Sequence, residues 1–367
     1  MKILFATKGL EKSSGGSERV FVEICNEIYK NNKTVSVLTF DKLDYESFYL
    51  LNKEIKKISL NHGGIFRHAT IFSFFKSIYL LRKALIKNKP DVIVAFMHSM
   101  YVPFAFASLF LGIKIVASEH ATIEYYNKKK LELFLIRLVI PLLSKIVFLS
   151  RNIAADYPKS IQAKGFIISN AANSDRQLFL SESVVKDDII LSVGTFDNNK
   201  RHVLLVEAFM SVSVKYPQWR LIILGDGPLR NDLIKFVNDK SMSDRIFLPG
   251  VVKNIESYYS KSSIFVSASL HESFGMSIAE AMLFECVSIC FLSSYGAQDL
   301  LHDGENGILI KDPINNECGG LSKAIEKLIC DPQLRVKYGK KARKFVIKNY
   351  KMSVIVNKWK NLLSTKI

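Results

Sequence analysis

Cysteine is scarce in this chain, and the cysteines are not spaced as in common metal or redox motifs. The 367 residues include five cysteines, an odd number, and no C-x-x-C motif, so neither a zinc site of that spacing nor a dithiol redox pair is indicated. Glycine and proline are also few, at 18 and 9 residues, whereas 49% of the chain is hydrophobic. A chain of this composition must bury its apolar side chains, which excludes an intrinsically disordered protein. We expect a globular protein of two domains in a reducing, cytoplasmic setting.

Two further signals are missing near the N-terminus. The apolar part of Ile3–Ala6 is too short for a signal peptide, and no small-residue cleavage site follows it. We therefore expect no export. No G-x-G-x-x-G follows this first predicted strand, which argues against a dinucleotide-dependent oxidoreductase.

Acidic residues are outnumbered by basic ones, 34 to 51, so the formal net charge is +17. Residues 1–180 contain 26 Lys and Arg against 14 Asp and Glu, a net charge of +12. Most of the excess therefore lies in the first half. Such a charge favours contact with polyanions without saying which kind.

One long apolar run, residues 92–113, carries no Lys, Arg, Asp or Glu. Its 22 residues would suffice to span a bilayer. Pro103 and His98 interrupt it, however, and Lys-Pro-Asp precedes Val92–Phe96 as it would precede a buried parallel strand. We interpret the run as that strand followed by a short helix that ends near Gly112.

Apolar runs of four to six residues alternate with segments of helical period along the chain. This is the pattern of parallel sheets covered by helices on both faces. One such unit is complete before residue 175, and the rhythm restarts after the polar segment Asn173–Asp188. The predicted strands are Ile3–Ala6, Val35–Phe40, Val92–Phe96, Ile113–Ser118, Lys145–Leu149, Gly165–Ile168, Ile189–Val193, Arg220–Leu224, Ile246–Leu248, Ile264–Ser267, Val287–Phe291 and Gly307–Ile310.

These patterns predict an α/β fold with two doubly wound, Rossmann-like domains that face each other across a cleft. We place an N-terminal domain at residues 1–175, a C-terminal domain at 188–345, and a last helix at 346–367 that crosses back to the first domain. In such folds the ligand binds at the carboxyl ends of the strands.

The stretch LHESFGMSIAEAM (270–282) follows a predicted buried strand and carries the most chemical information. Glu272 and Glu280 are separated in it by seven residues. A strand, loop and helix in this order aim loop amides along the helix axis, which creates an anion site suited to phosphate. The amides concerned are those of Phe274, Gly275 and Met276.

Each acid also has a purely structural interpretation. Ser277-x-x-Glu280 matches a capping box, in which Glu280 would bond the Ser277 N–H, and Glu272 could be a solvated loop acid. The anion site favours functional roles instead, because an acid beside such a site is expected to contact hydroxyl groups.

The stretch 270–282 resembles the E-x7-E motif of family 4 glycosyltransferases, which are retaining, two-domain enzymes of GT-B type that use nucleotide sugars. Further segments resemble this family in the right order and extend over nearly the whole chain. They are Gly15–Val20 (G-G-x-E-R), Ser118–His120 (S-E-H), Leu191–Lys200 (V-G-R-x4-K), Leu224–Pro228 (G-x-G-P), Phe247–Gly250 (F-x-G), and Tyr295–Gly307 (G-x-x-E, then D-G-x-N-G).

The resemblance implies roles for residues of the C-terminal domain. Glu280 would bond the ribose hydroxyls of the nucleotide. Lys200 would contact the diphosphate and stabilise the charge that develops as it leaves. Glu272 would lie against the donor sugar with the amides of Phe274–Met276.

The chain also departs from the family. Thr195 stands where the family usually has Arg, which leaves Arg201 to compensate as a second phosphate-binding cation. No D-x-D occurs in the chain, so no metal bridge to the diphosphate is indicated. We expect no cofactor, and we assign the positive charge to Lys200 and the helix terminus.

The resemblance implies site roles for three residues of the first domain. His120 ends a predicted strand, and the resemblance implies that it lies near the donor sugar or the reacting centre as a catalytic residue. A histidine satisfied within the core is the alternative. Gly15 and Gly16 lack a Cβ, so their loop can approach phosphate or sugar closely, although a plain flexible turn would show the same residues.

Two segments that are both basic and apolar bear on the acceptor. Residues 62–89 mix phenylalanine and leucine with Lys and Arg, and Lys128–Lys130 precede an apolar helix predicted at 131–143. Both fit helices that lie on an anionic membrane surface. An ordinary two-sided helix with solvated lysines is the alternative for each. The charge of the first half leads us to favour membrane docking.

We therefore predict a retaining hexosyltransferase, cytoplasmic and peripheral on the inner face of the membrane. It would move a hexosyl or N-acetylhexosaminyl group from a nucleotide sugar, with UDP preferred, to a lipid-linked or growing saccharide in surface-glycan biosynthesis. The alternatives are a polyanion-binding protein without chemistry and a nucleotide-sugar epimerase on the same scaffold. Nucleic acid is not an expected partner, because the Phe-rich segment at 66–75 has a helical period and is not an exposed sheet.

Overall fold

A computed structural model describes the chain except at a few short segments. The chain folds as two compact units. The first unit is Met1–Asn170 with Ile355–Ile367, and the second is Ala171–Val354. The predicted features at 63–69, Lys128 and 173–185 lie outside the described residues. Those described are 1–11, 15–62, 70–127, 129–172, 186–313 and 317–365.

The first unit is built on a seven-stranded parallel sheet in the order β3-β2-β1-β4-β5-β6-β7. Strands β1, β4 and β5 are buried and apolar over most of their length. The strands are β1 (Ile3–Ala6), β2 (Val35–Thr39), β3 (Lys56–Ser59), β4 (Val92–Phe96), β5 (Lys114–Glu119), β6 (Lys145–Phe148) and β7 (Gly165–Ile167).

Helices connect these strands and cover the sheet. They are α1 (Gly16–Asn31), α2 (Ile71–Asn88), α3 (His98–Ala107), α4 (Ile123–Asn127), α5 (Lys130–Val139) with a 3-10 turn (Ile140–Leu142), α6 (Arg151–Asp156) and α7 (Lys159–Gln162).

The second unit repeats the plan with a six-stranded parallel sheet in the order β10-β9-β8-β11-β12-β13. Its strands are β8 (Asp187–Val193), β9 (Arg220–Leu224), β10 (Ile246–Gly250), β11 (Ser262–Ser267), β12 (Val287–Phe291) and β13 (Gly307–Ile310). Its helices are α8 (His202–Ser213), α9 (Arg230–Asp239), α10 (Ile255–Lys261), α11 (Met276–Leu283), α12 (Tyr295–Leu300), α13 (Gly319–Cys330) and α14 (Pro332–Tyr350), and α15 (Met352–Ser364) follows.

Both strand orders are doubly wound, which confirms the predicted fold class of two parallel α/β sheets. The order reverses between β1 and β4 in the first unit and between β8 and β11 in the second. Loops at the carboxyl ends of those strands form the expected ligand edge of each sheet. Strand β3 was not predicted, because its KKIS sequence has no apolar run and exposes both lysines at the edge of the sheet.

The long apolar run at 92–113 folds as interpreted. All five residues of β4 are buried, and α3 ends at Ala107, five residues before Gly112. Across the described parts of the chain, every helix is too short or too polar to cross a bilayer. The apolar side chains of α3 instead pack within the first unit, where Met100, Phe104 and Ala105 are fully buried.

The C-terminal segment forms two helices, as expected from its Lys-rich, strand-free sequence. The predicted domain limit at 345 falls inside α14, and the second unit extends past the end of this helix to Val354. From Ile355 onward α15 belongs to the first unit. There Trp359 is buried, with its ring centroid 6.1 Å from that of Phe96 in a stacked arrangement.

The loops that follow β8 and β9 are bonded backbone to backbone at the ligand edge of the second sheet. The Phe196 N–H donates to the Asp226 carbonyl at 3.0 Å, and the Leu229 N–H donates to the Phe196 carbonyl at 2.9 Å. Gly225 has φ +135°, and a Cβ there would lie 1.9 Å from the carbonyl oxygen of Gly194. Close approach of the two loops therefore requires glycine at 225.

Replacing Gly225 with Ala should lower the free energy of unfolding of the second unit by at least about 2 kcal/mol, because the backbone must strain or separate from Gly194. The measurement is urea unfolding in a Trp359→Phe background, where the remaining tryptophan, buried Trp219, reports on the second unit. Gly320→Ala is the control, because a Cβ at this exposed helical site meets nothing within 4 Å. Equal midpoints for the two variants would contradict the close-packing argument.

Candidate functional site

Two predicted site residues meet at the ligand edge of the second sheet. Lys200 lies in the loop after β8 and Glu272 in the loop after β11, the strands between which the order reverses. The Lys200 Nζ lies 2.5 Å from the Glu272 Oε1, and the two side chains are 16% and 15% exposed. The pair therefore joins two loops and keeps some access to solvent.

Neighbouring side chains fix this ion pair. The Ser269 hydroxyl donates to the same Glu272 Oε1 at 2.8 Å. Asn199 ties the two loops together, since its Nδ2 donates to the His271 carbonyl and its Oδ1 accepts from the His271 N–H, both at 3.0 Å. The Glu272 carboxylate is thus held in place by both loops.

Helix α11 begins at Met276, four residues after Glu272, at the place where the sequence predicts an anion site. Gly275 is its N-cap, in a left-handed conformation with φ +83°, and Met276 is its first residue. The N–H groups of the first turn have no carbonyl partner within the helix, so they can bond an anion. The capping-box interpretation is wrong, because the helix is capped at Gly275, two residues before Ser277, and no side chain caps it.

Phe274, in the loop between Glu272 and α11, has its side chain buried in the protein. Its side chain is 2% exposed, and its ring centroid lies 5.2 Å from that of Tyr350 on α14. The Gly296 N–H donates to the Glu272 carbonyl at 2.8 Å and closes the other side of the loop. Phe274 therefore anchors the loop by its ring and can offer a ligand only its backbone.

Glu280 lies in the body of α11 and is 7% exposed. The Tyr259 hydroxyl donates to its Oε2 at 3.1 Å. A buried carboxylate is an unusual placement, and a ligand-binding role for Glu280 stays a prediction. Tyr259 gave no sequence signal, since it comes from α10, far from the E-x7-E stretch.

Arg201 has its guanidinium bonded within the second unit. Its Nε donates to the Ala268 carbonyl at 2.6 Å, its Nη2 lies 3.3 Å from the Asp312 Oδ1, and the group stacks 4.4 Å from the Phe291 ring centroid. These contacts brace the end of β11. A role for Arg201 in phosphate binding stays a prediction.

In the described ranges, no group of three or more His, Cys, Asp and Glu side chains is placed to hold a metal ion.

The remaining predicted residues belong to the first unit. His120 follows β5 and is buried, with its Nε2 2.9 Å from the Ser118 hydroxyl and its ring centroid 5.1 Å from that of Phe96. Burial lowers the pKa of His120 to about 4, so the imidazole is neutral at physiological pH. Gly15 caps the N-terminus of α1 with φ −68°, a conformation open to any residue, and both Gly15 and Gly16 are exposed.

Next to His120 the strand end carries a buried carboxylate, Glu119, that sequence analysis did not single out. Glu119 is 1% exposed and accepts hydrogen bonds from the Tyr101 hydroxyl at 2.5 Å, the Tyr126 hydroxyl at 2.9 Å and the Ala121 N–H at 2.9 Å. Burial, followed by the Glu119 charge, raises the pKa of both tyrosines. Its position in the S-E-H segment was the available signal.

The network continues from Tyr126 to helix α5. The Tyr126 hydroxyl lies 2.7 Å from the His98 Nδ1, and the His98 Nε2 lies 3.0 Å from the Glu132 Oε2. Burial lowers the pKa of His98, while the charges of Glu119 and Glu132 oppose the shift. The carboxyl ends of β4 and β5 therefore carry an ordered polar cluster, with Glu119 at its buried end.

Two protein families match the chain, one in each half. Residues 14–176 match the family described as Glycosyltransferase Family 4, and residues 174–345 match the family described as Glycosyl transferases group 1. The two matches meet at residues 174–176 and together extend from residue 14 to residue 345.

The relatives include a protein that is similar over nearly the full length of both chains. It is a Campylobacter jejuni protein named as an α-1,4-N-acetyl-D-galactosaminyltransferase acting on GalNAc-α-(1→4)-GalNAc-α-(1→3)-diNAcBac-PP-undecaprenol. The two sequences are 29% identical over 371 aligned positions, which include 99% of this chain and 98% of the relative.

Two solved structures share the fold. Anabaena HepE in complex with UDP and glucose aligns with a TM-score of 0.78 and 20% identity over 100% of both chains. A mutant of Staphylococcus aureus TarM, in complex with fondaparinux, α-GlcNAc-glycerol and UDP, aligns with a TM-score of 0.79 and 16% identity, also over 100% of both chains. At these identities the likeness shows a common fold.

The neutral, buried His120 should make the stability of the first unit depend on pH. Its pKa is lowered from about 6.5 in the unfolded chain to about 4 in the folded one, so below pH 6.5 the unfolded chain binds a proton that the folded unit does not. The free energy of unfolding should therefore fall with decreasing pH, by up to about 1.4 kcal/mol per pH unit between pH 6.5 and 4.

Urea unfolding in a Trp219→Phe background, with Trp359 as the reporter, measures this slope for wild type and for His120→Asn. The slope contributed by His98 is common to both proteins, so the difference isolates His120. Identical slopes would show that His120 is solvated in the folded protein.

Proposed function

The chain belongs to glycosyltransferase family 4, and on that premise we propose that it moves a hexosyl or N-acetylhexosaminyl group from a nucleotide sugar to a lipid-linked saccharide. The acceptor named for the Campylobacter relative, an undecaprenol-linked saccharide, supports the acceptor class. UDP in the Anabaena neighbour favours a UDP-sugar. The observation that carries the proposal is the Lys200–Glu272 pair beside the N-terminus of α11.

Lys200 has the chemistry needed to stabilise the leaving group. In the transfer, the bond between the anomeric carbon and the diphosphate oxygen breaks, and its electron pair leaves with the nucleoside diphosphate. A new bond forms to the acceptor hydroxyl oxygen, whose proton passes to the departing phosphate or to water. An ammonium group and helix-end amides that are already in place stabilise the new charge without reorganisation.

Glu272 would pair with the Lys200 ammonium and also accept a hydrogen bond from the donor sugar. Lys200 and Ser269 both donate to its Oε1, which leaves the lone pairs of Oε2 to accept from a sugar hydroxyl. When the diphosphate binds, it competes for the Lys200 ammonium. Glu280, deeper on the same helix, would accept hydrogen bonds from the ribose hydroxyls.

Two finer points belong to the same proposal. We expect retention of the anomeric configuration, as in the family that the chain resembles. We also expect transfer without a metal ion, because Lys200 and the α11 terminus supply positive charge where the diphosphate would lie. Retention is tested by the anomeric configuration of the product in an NMR spectrum.

The first unit has a surface suited to a membrane-bound acceptor. On α2, Phe72, Phe75 and Tyr79 lie on one helical face and are 91%, 64% and 65% exposed. Helix α5 likewise exposes Leu131 and Phe134, and both helices pack against α3. Aromatic rings beside lysines are typical of helices that lie in a membrane interface.

We name the exposed apolar residues of α2 and α5 the aromatic face. Lys76, Lys83 and Lys87 lie on the same helix α2 and contribute to the excess positive charge of residues 1–180. Such a face would hold the enzyme on the anionic, inner side of a membrane, where nucleotide sugars and lipid-linked saccharides meet.

Substitutions at the second-unit site should separate donor binding from chemistry. Lys200→Gln should lower kcat/KM by about 10²- to 10³-fold, because the leaving diphosphate loses a preorganised charge. Glu280→Gln should mainly raise the KM for the nucleotide sugar. The assay measures release of nucleoside diphosphate and labelling of a short-chain lipid-linked acceptor, with UDP-, GDP-, dTDP- and ADP-sugars as donors.

The control is Lys235→Gln, which removes an exposed lysine of α9 in the same unit and should leave both constants unchanged. Wild-type turnover in both Lys200→Gln and Glu280→Gln would end the proposal. Donor conversion without any acceptor product would instead identify an epimerase.

A further inference from the structure

Helix α14 carries a row of lysines that the proposed function does not use. The helix spans Pro332–Tyr350, contains seven Lys and Arg residues, and has no Asp or Glu. Five of its lysines are exposed, and within the described ranges none of the five forms an ion pair. We name these residues the lysine row: Lys337, Lys340, Lys341, Lys344 and Lys348.

Helical geometry places the row on one face. At 3.6 residues per turn, the five lysines fall within an arc of about 100° and extend over about 16 Å. Neighbours along the row are closer than the Debye length of about 8 Å at physiological salt, so their charges act together. Lys351, exposed just beyond the helix, continues the row.

The two arginines of α14 have different roles from the lysines. Arg335 donates to the Leu328 and Ile329 carbonyls, and Arg343 donates to the Glu285 carboxylate at 3.2 Å. Both guanidinium groups therefore bind the helix to its own unit. The five lysines of the row face solvent instead.

The opposite face of α14 packs against helix α11, the helix of the candidate site. Tyr338, Ala342 and Val346 are buried on this face. A Cβ at Gly339 would lie 2.5 Å from the Glu285 carbonyl oxygen, which follows α11. One helix thus has its buried face on the donor-site helix and its lysine row toward solvent.

We propose that the lysine row docks the second unit onto an anionic phospholipid surface. Lysine ammonium groups on long flexible stems suit phospholipid headgroups, which need charge without a fixed hydrogen-bond geometry. Nucleic acid is a poorer fit, because Tyr338 and Tyr350 of this helix are buried and the Phe345 ring packs against His302 and Tyr350, so none of the three rings is free to stack on bases. The inference rests on the proposed function in that a lipid-linked acceptor brings the enzyme to such a surface.

The docking differs from that of the aromatic face. It is electrostatic, lies in the second unit, and needs no insertion of apolar side chains.

The test is sedimentation of the full-length protein with vesicles of phosphatidylcholine, with and without phosphatidylglycerol. Replacing all five lysines of the row with Gln should weaken binding to the anionic vesicles by at least about tenfold and reduce its salt dependence. A matched variant loses the same charge elsewhere in the second unit and should bind like wild type. It carries Gln at Lys235, Lys240, Lys253, Lys261 and Lys311, all exposed.

Equal loss of binding in both five-lysine variants would overturn the proposal, because net charge alone would then explain the effect. Vesicle binding at the wild-type level by the row variant would also overturn the proposal. If, in a parallel RNA-binding assay, that variant lost binding to RNA but not to vesicles, the row would be a nucleic-acid site instead. A Phe72→Ser/Phe75→Ser variant measures the aromatic face separately. The rate of sugar transfer to a soluble short-chain acceptor should be the same in wild type and the row variant. Absence of transfer in wild type would refute the proposed function, but the vesicle experiment would still test whether the lysine row binds anionic lipid.

Discussion

The contact between the Lys200 ammonium and the Glu272 carboxylate is the interaction on which the candidate site depends. It joins the loops that follow β8 and β11, the two strands between which the sheet order reverses. Parallel strands end at one edge, so residues 72 positions apart meet without any local sequence relation. The same contact compensates the lysine charge, while Ser269 bonds the carboxylate and Asn199 bonds the backbone of the neighbouring His271.

The packing of the loops around the Lys200–Glu272 contact limits how far the site can rearrange. Gly225 lets two loops bond backbone to backbone, Gly275 caps the start of α11 in a left-handed conformation, and the Phe274 ring packs against Tyr350 of α14. Since interiors are close-packed, such a loop has little freedom to rearrange. The site is therefore preorganised, which is the condition under which fixed charges stabilise a developing anion most effectively.

Much of the fold was predictable because buried parallel strands read as short apolar runs. Lys200, Glu272 and Glu280 were singled out by their resemblance to a family motif, and their roles stay predictions. β3 escaped prediction because an edge strand exposes its lysines. The contact of Tyr259 with Glu280 and the hydroxyl partners of Glu119 were not predicted, because contacts between separate elements produce no spacing pattern in the sequence. The capping-box interpretation failed because a local motif was matched two residues inside the true helix start, where Gly275 provides the cap.

The central claim is that a nucleotide diphosphate is held by Lys200 and the N-terminus of α11 without a metal ion. Calorimetric titration of UDP in the presence of EDTA tests it most directly, with wild type and Lys200→Gln compared at the same ionic strength. We predict that UDP binds wild type in EDTA and that its Kd rises by about 10- to 100-fold in the variant, the effect of losing one charge-assisted hydrogen bond. An unchanged Kd in Lys200→Gln, or binding that requires a divalent cation, would contradict the claim.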